Sequence, residues 1–201
     1  MDFTKTAENL KACGYTVECF ENSKDACAYL ASQIQGKTVG IGGSATVEEM
    51  GLYDALKEGN TVYWHWKPTE ELPANVQRKK ATLADIYISS VNGLAETGEI
   101  INIDGNGNRV ASIIYGHEKV YLVVGRNKIA PDYDGALFRA KNIAAPKNAQ
   151  RMNMKTPCAK EGDKCYDCKG PARLCKALTV LYCKPNSQPI EVILINEDLG
   201  Y

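Results

Sequence analysis

The chain has 201 residues, 44% of them hydrophobic and 24% charged, with a formal net charge of zero. That composition describes a folded domain large enough for one α/β core and offers no basic footprint for nucleic acid. No apolar run reaches the length of a membrane span, and MDFTKTAENLKACGY lacks the apolar core of a secretory signal, so the expectation is a soluble, cytoplasmic protein with neither nucleic acid nor membrane as partner.

Apolar spacing predicts helices over 3–13 and 22–35, the second through Ala26, Tyr29, Leu30 and Ile34. Tyr15 to Phe20 reads as a short strand between them, and Lys37 to Ile41 as a strand ending in a glycine turn. A helix follows over Thr46 to Glu58, then a strand in NTVYWHW, a helix over 70–82 and a strong strand in ADIYISSV. GEIINID and NRVASII flank DGNGN, which fits a glycine-rich hairpin turn. KVYLVVG is a further buried strand. ALFRAKNIAAP is helical through Ala136, Ala140, Ile143 and Ala144, with Pro146 ending or kinking it, and PIEVILINEDLGY supplies the last strand. The alternation argues one domain over 1–201 with a mostly parallel sheet flanked by helices. Residues 155–185 form a Cys-rich segment inserted before the last strand, and the mixed polar surface leaves room for a homodimer.

Three stretches carry chemistry. VGIGGSATVEEMGL joins a strand to a helix through Gly40, Gly42, Gly43 and Ser44. Glycines let backbone approach a ligand, and a helix start offers free N–H groups, so Gly42, Gly43, Ser44, Ala45 and Thr46 suit an anion; the other reading is that Ser44 caps the helix and the glycines only make the turn. SSVNGLAETGE follows a buried strand, where open α/β sheets bind ligands. There Glu96 and Glu99 are candidates for a general base or carboxylate nucleophile and Asn92 for orienting a carbonyl or hydroxyl, against the reading of a solvated loop. VVGRNKI brings Asn127 and Lys128 to the same edge, with Lys128 able to neutralise a phosphate or carboxylate. Arg139, Lys147 and Arg151 extend a basic rim or are ordinary surface charge; His65 and His117 read as packing or surface residues.

The eight cysteines are unevenly placed. Cys13, Cys19 and Cys27 read as core or surface thiols. Cys158, Cys165, Cys168 and Cys175 surround a C-x-x-C knuckle, a spacing that suits zinc or a 4Fe–4S cluster. Between Lys155 and Asn186 stand seven Lys or Arg and three Asp or Glu, a balance that favours thiolates. Cys183 is a spare thiol or replaces Cys158 as ligand. Free thiols or a reversible redox switch remain the other readings of the same loop.

Taken together and in order, GIGGSAT, SSVNGLAETGEI, DGNGNRV, VVGRNKI and AAPKNAQR with TPC resemble the LUD (lactate-utilisation) domain family, which includes lactate-utilisation protein C. The resemblance covers most of the chain. It implies the Rossmann-like three-layer αβα sandwich shared by ribose-phosphate isomerases, glucosamine-phosphate deaminases and CoA transferases, with GGSAT at the phosphate-loop position. The isomerases' DGAD pattern is missing, which counts against an isomerase. The implied role is an accessory or subunit protein of organic-acid (lactate-like) oxidation, working beside iron–sulfur oxidoreductase subunits and binding a small anionic ligand of phosphate, carboxylate or CoA type. The alternatives are an acyl or CoA transferase-like or sugar-phosphate-acting enzyme with Glu96 as nucleophile or base, and a cysteine-based redox or metal sensor.

Overall fold

The computed structural model describes residues 1–201. Helix α1 (Thr4–Ala12) leads to strand β1 (Thr16–Phe20), and helix α2 (Ser23–Gln33) starts where the Asn22 side chain accepts from the Asp25 amide. Strand β2 (Thr38–Ile41) ends at the glycine turn. The single helix expected over Thr46 to Glu58 is two short ones, α3 (Ala45–Glu49) and α4 (Leu52–Lys57). Gly51 between them adopts φ 67°, a left-handed conformation that stops the first and starts the second. Strand β3 (Thr61–Trp64), helix α5 (Ala74–Ala81) and strand β4 (Ile86–Ser90) follow.

Beyond β4 the chain folds strands β5 (Gly93–Ala95) and β6 (Ile100–Asp104) into an antiparallel pair. NRVASII is not the second arm of a hairpin about DGNGN. It forms helix α6 (Asn108–Ile114), because the Asp104 carboxylate accepts the amides of Asn106, Gly107, Arg109 and Val110 and gathers the chain into a helical start. Strand β7 (Lys119–Gly125) passes through one tight turn, Arg126–Lys128, into strand β8 (Ile129–Ala130). Helix α7 (Tyr133–Arg139) continues through a π-helical stretch, Ala140–Ala144, into helix α8 (Ala145–Arg151). The ladder widens just before Pro146, the residue with no N–H to offer it, so the proline is absorbed rather than ending the helix. The Cys-rich segment holds helix α9 (Pro157–Glu161) and strand β9 (Ala177–Leu181), and strand β10 (Ile190–Ile195) follows.

Six strands lie in the order β1-β10-β7-β4-β2-β3, all parallel. Alternate side chains face opposite layers. Val120, Leu122 and Val124 of β7 pack with Leu10 of α1 and Ile113 of α6, while Tyr121 and Val123 pack with Leu30 of α2 and Leu56 of α4. Helices thus cover both faces, as the sequence pattern implied. Strand β10 is buried along its whole length, and each such Val, Leu or Ile contributes about 1.5–3 kcal/mol. Glycine at position 40 is demanded by helix–sheet contact: a Cβ there would stand 2.3 Å from the Ala81 carbonyl oxygen.

A second sheet, β8-β5-β6-β9, was not legible in the sequence. It closes a small core of Ala95, Ile101 and Ala130 against Ala136 and Ala140. Strand β9 escapes a pattern search because only Leu181 of its five residues is buried. The carboxyl ends of β2, β4 and β7 lie side by side, which brings Gly42–Ala45, Ser90–Asn92 and Arg126–Lys128 to one edge. No helix is long and apolar enough to cross a membrane.

Candidate functional site: a cationic cavity at the sheet edge

Lys128 lies in the turn after β7 and points back toward β2 and β4. Its Nζ donates to Thr46 Oγ1 at 2.8 Å and to Ser90 Oγ at 2.9 Å, and these two hydroxyls are its hydrogen-bond partners. The residue is 4% exposed. Burial, with the positive charges of Arg139 and Arg109 nearby, pushes its pKa down to about 7, against a weak pull upward from Glu49. The amine therefore divides between ammonium and free amine near neutral pH.

Lys128 forms part of the wall of a cavity of about 260 Å³. The turn after β2 contributes Gly43, Ser44 and Ala45, and the end of β4 contributes Ser90, Val91 and Asn92. His65 and Trp66 come from the segment after β3, Arg78 from α5, and Asn148 and Arg151 from α8. The volume lies just below the roughly 300–1,000 Å³ of drug-sized sites, so it suits a small metabolite or one end of a larger one.

Four cations face this space, Arg78, Arg109, Lys128 and Arg151, against one carboxylate, Asp104. That carboxylate is engaged by the amides of α6. Burial works against its ionisation, but Arg109 and the amides of Gly107, Val110 and Asn106 outweigh it and hold the carboxyl below its ordinary range. Arg109 is also engaged. Its guanidinium donates to the Ser90 carbonyl (2.9 Å), Asn102 Oδ1 (2.5 Å), Asn92 Oδ1 (2.7 Å) and the Ile103 carbonyl (2.7 Å), tying β4 to β6. Arg139 ties the carbonyls of Asn127 (2.7 Å) and Asn92 (2.6 Å), and burial pushes its pKa down to about 10.

The cations left to a ligand are Arg78, Lys128 and Arg151. Nε of Arg78 is buried with no hydrogen-bond partner. Arg151 stacks its guanidinium 4.5 Å from the Trp66 ring centre and donates to Tyr201 Oη at 2.9 Å. His65 is neutral: burial, then the charge of Arg78, pushes its pKa down to about 4, and its Nδ1 has no partner.

The sequence candidates separate into three groups. Gly43, Ser44, Ala45, Asn92 and Lys128 line the cavity. Gly42, Thr46 and Asn127 support it from behind. The Gly42 carbonyl accepts from Trp64 Nε1 at 3.1 Å, Thr46 holds Lys128 and donates to the Leu199 carbonyl, and Asn127 holds the Leu199 amide and the Gly200 carbonyl. Ser44 caps α3 through the Val47 amide, and α3 is little more than one turn, so the side-chain cations supply the positive field rather than a helix dipole. Glu96 and Glu99 form the third group and do not line the cavity. Strand β5 carries the chain away from the sheet edge after Asn92, so Glu96 pairs with Lys5 of α1 at 3.0 Å and Glu99 accepts the Thr97 hydroxyl. His65, Trp66, Arg78, Asp104, Arg109 and Tyr201 were not singled out as site residues in the sequence. Only the Asp104–Arg109 stretch carried a signal, the turn-forming DGNGN.

Cys158, Cys165, Cys168 and Cys175 all line a second, small cavity of about 20 Å³ beside α8. Cys183 stands elsewhere, close enough to Cys13 to interact with it, and so is not an alternative to Cys158. All eight cysteines are free thiols. No three His, Cys, Asp or Glu side chains stand close enough together to hold a metal ion as placed.

Fold and cavity together define an α/β protein with a cationic pocket at the carboxyl edge of a parallel sheet. The LUD domain family matches residues 3–195, and the chain belongs to that family, which is associated with lactate utilisation. Among solved structures the chain is similar to a DUF162 family protein from Deinococcus radiodurans, at 12% identity over 95% of this chain and 94% of that one, with a TM-score of 0.52. That likeness is one of fold. Comparison with curated proteins gives no match.

Proposed function

We propose that the protein is a ligand-binding component of organic-acid (lactate-type) oxidation, and that it holds a small carboxylate or phosphate in the cavity beside Lys128. The observation that carries this reading is a buried lysine with two hydroxyl partners and no carboxylate. A buried ammonium without a counter-ion is costly, and a bound anion supplies the missing charge. Arg78 and Arg151 widen the cationic wall, and Asn92 and Ser44 add neutral hydrogen-bonding groups. Membership of the LUD domain family supports an organic acid as the anion.

The neutral fraction of Lys128 gives the site a proton acceptor next to the bound anion. Anion binding favours the ammonium, so above about pH 7 the protein takes up a proton as it binds, and affinity falls as pH rises. Calorimetric and thermal-shift titrations with pyruvate, L-lactate and inorganic phosphate test the reading on wild type and Lys128→Met. At least one of the three binds wild type, weakens above pH 7, and loses tenfold or more in affinity in the variant. Binding of none, or equal binding to both proteins, overturns the proposal.

A further inference from the structure

We infer that Cys158, Cys165, Cys168 and Cys175 form a four-thiolate site for a single metal ion of the zinc class. The four come from three pieces of chain: α9, the 165–168 turn and the residue two before β9. They nevertheless line one cavity of about 20 Å³. Convergence of all four thiols from separate segments is not what an unconstrained surface loop produces.

The surroundings are built to hold that arrangement. In the C-x-x-C turn the Asp167 amide donates to Cys165 Sγ at 3.4 Å, and Asp167 adopts φ 43°, a left-handed conformation that turns the chain so that both thiols reach the same space. Arg173 donates to the Cys168 carbonyl at 2.8 Å and to the Cys175 carbonyl at 2.7 Å, which fixes those two backbones relative to each other. The Cys165 amide is anchored on Asn142 Oδ1 of the π-helical stretch at 3.1 Å. Lys141 and Arg173 line the same cavity and offset the excess negative charge that four thiolates leave around a divalent ion.

The donor set selects the metal: four sulfurs at roughly 2.3 Å in a closed tetrahedron are zinc's preference. As placed the thiols do not form a closed metal-holding group, so binding has to draw them inward. Cys165, Cys168 and Cys175 are only partly buried and have that freedom.

The site acts as a clip for the neighbouring cavity. Leu174, next to Cys175, lines the cationic cavity, and α8 presents Pro146 to the cysteines and Asn148 and Arg151 to the anion space. The Lys176 amide donates to the Asp104 carbonyl at 2.9 Å, which joins the two regions again. This clip role rests on the anion-cavity reading; the metal site does not.

The test is metal and acid-labile sulfide analysis of the full chain purified without oxygen, with no metal added, followed by cobalt(II) exchange. The expected result is about one zinc per chain, lost in the Cys165→Ser/Cys168→Ser variant, and a cobalt form with intense tetrahedral thiolate bands. The cobalt spectrum is read on wild type, so it decides the matter even if the double variant does not fold. Iron with acid-labile sulfide overturns the single-ion site. Wild-type protein that carries no metal, and binds cobalt without thiolate bands, overturns it as well. Neither result depends on anion binding, so failure here is distinguishable from failure of the proposed function.

Discussion

Lys128 and Thr46 are 82 positions apart in the chain and 2.8 Å apart in the fold, where the lysine ammonium meets the threonine hydroxyl in a buried spot. Ser90 completes the arrangement at 2.9 Å. A helix start, a strand end and a turn at the carboxyl edge of the sheet therefore share one buried proton-carrying group, and that group has no fixed counter-charge.

The first prediction concerns stability against pH. The folded-state pKa of Lys128 is about 7 and its ordinary value is 10.5. Between these values the unfolded chain binds a proton that the folded chain does not, so this lysine makes stability rise with pH across that window. Below about pH 7 its destabilising effect is fully present. Lys128→Met removes the charge but leaves two hydroxyls short of a partner, at about 1–3 kcal/mol each at most. The net change at pH 7 is thus small, and the slope is the diagnostic. Urea denaturation of wild type shows an upward slope from pH 7 to 10 that the variant lacks; parallel slopes count against the buried, unpaired lysine.

Much of the sheet is legible in the sequence, because ADIYISSV, KVYLVVG and PIEVILI are apolar runs of strand length, and such runs have few other folds open to them. Lys128 was readable too, since a polar residue directly after such a run falls at the ligand edge. Glu96 misled for the same reason. Sequence proximity to β4 placed it at that edge, but three-residue β5 is too short to announce itself and carries the chain away. Arg78 was not legible at all. It is one cation among several in VQRKK, and only the packing of α5 against β3 and β2 decides which of them faces inward. The helix at NRVASII depends on one carboxylate collecting four amides, a local arrangement that the glycines of DGNGN, equally suited to a hairpin turn, conceal.

Glu96→Gln leaves both fold and anion binding intact. The Lys5–Glu96 pair is open to solvent, with the lysine side chain 69% exposed, and such pairs contribute at most about 1 kcal/mol. Equilibrium denaturation therefore moves by less than that, and titration of the anion found for wild type gives an unchanged affinity. A tenfold loss of affinity in this variant would return Glu96 to the site.

Arg109→Lys is severe although it keeps the charge. The guanidinium serves four oxygens at once, including the buried Asn102 amide and the Ser90 and Ile103 carbonyls. A lysine has three donors on a single nitrogen and cannot span them. At least one buried acceptor is stranded and two charge-assisted bonds are lost, for a cost of about 3 kcal/mol or more. Because Arg109 also holds Asn92 Oδ1, the variant that still folds binds the anion more weakly. Denaturation at pH 7 measures the first effect, and titration above the folding threshold measures the second.

Gly42→Ala and Gly51→Ala separate two reasons for a glycine. At Gly51 a Cβ meets nothing within 4 Å, but φ 67° is strained for alanine, so its cost of about 1 kcal/mol is a backbone cost. At Gly42 the obstacle is space: the added carbon would stand 2.9 Å from Tyr87 Oη, 3.0 Å from Ser89 Oγ and 3.2 Å from Arg109 Cδ. Tyr87 is fully buried and stacked on His117 at 5.0 Å, so it has nowhere to retreat. Overpacking of this kind costs about 1–3 kcal/mol, and the strain is transmitted to Arg109 and through it to Asn92. Gly42→Ala accordingly loses anion affinity as well as stability, whereas Gly51→Ala loses only stability. Parallel denaturation and titration of the two variants check this, and equal anion affinity in both would show that the turn after β2 does not set the shape of the cavity.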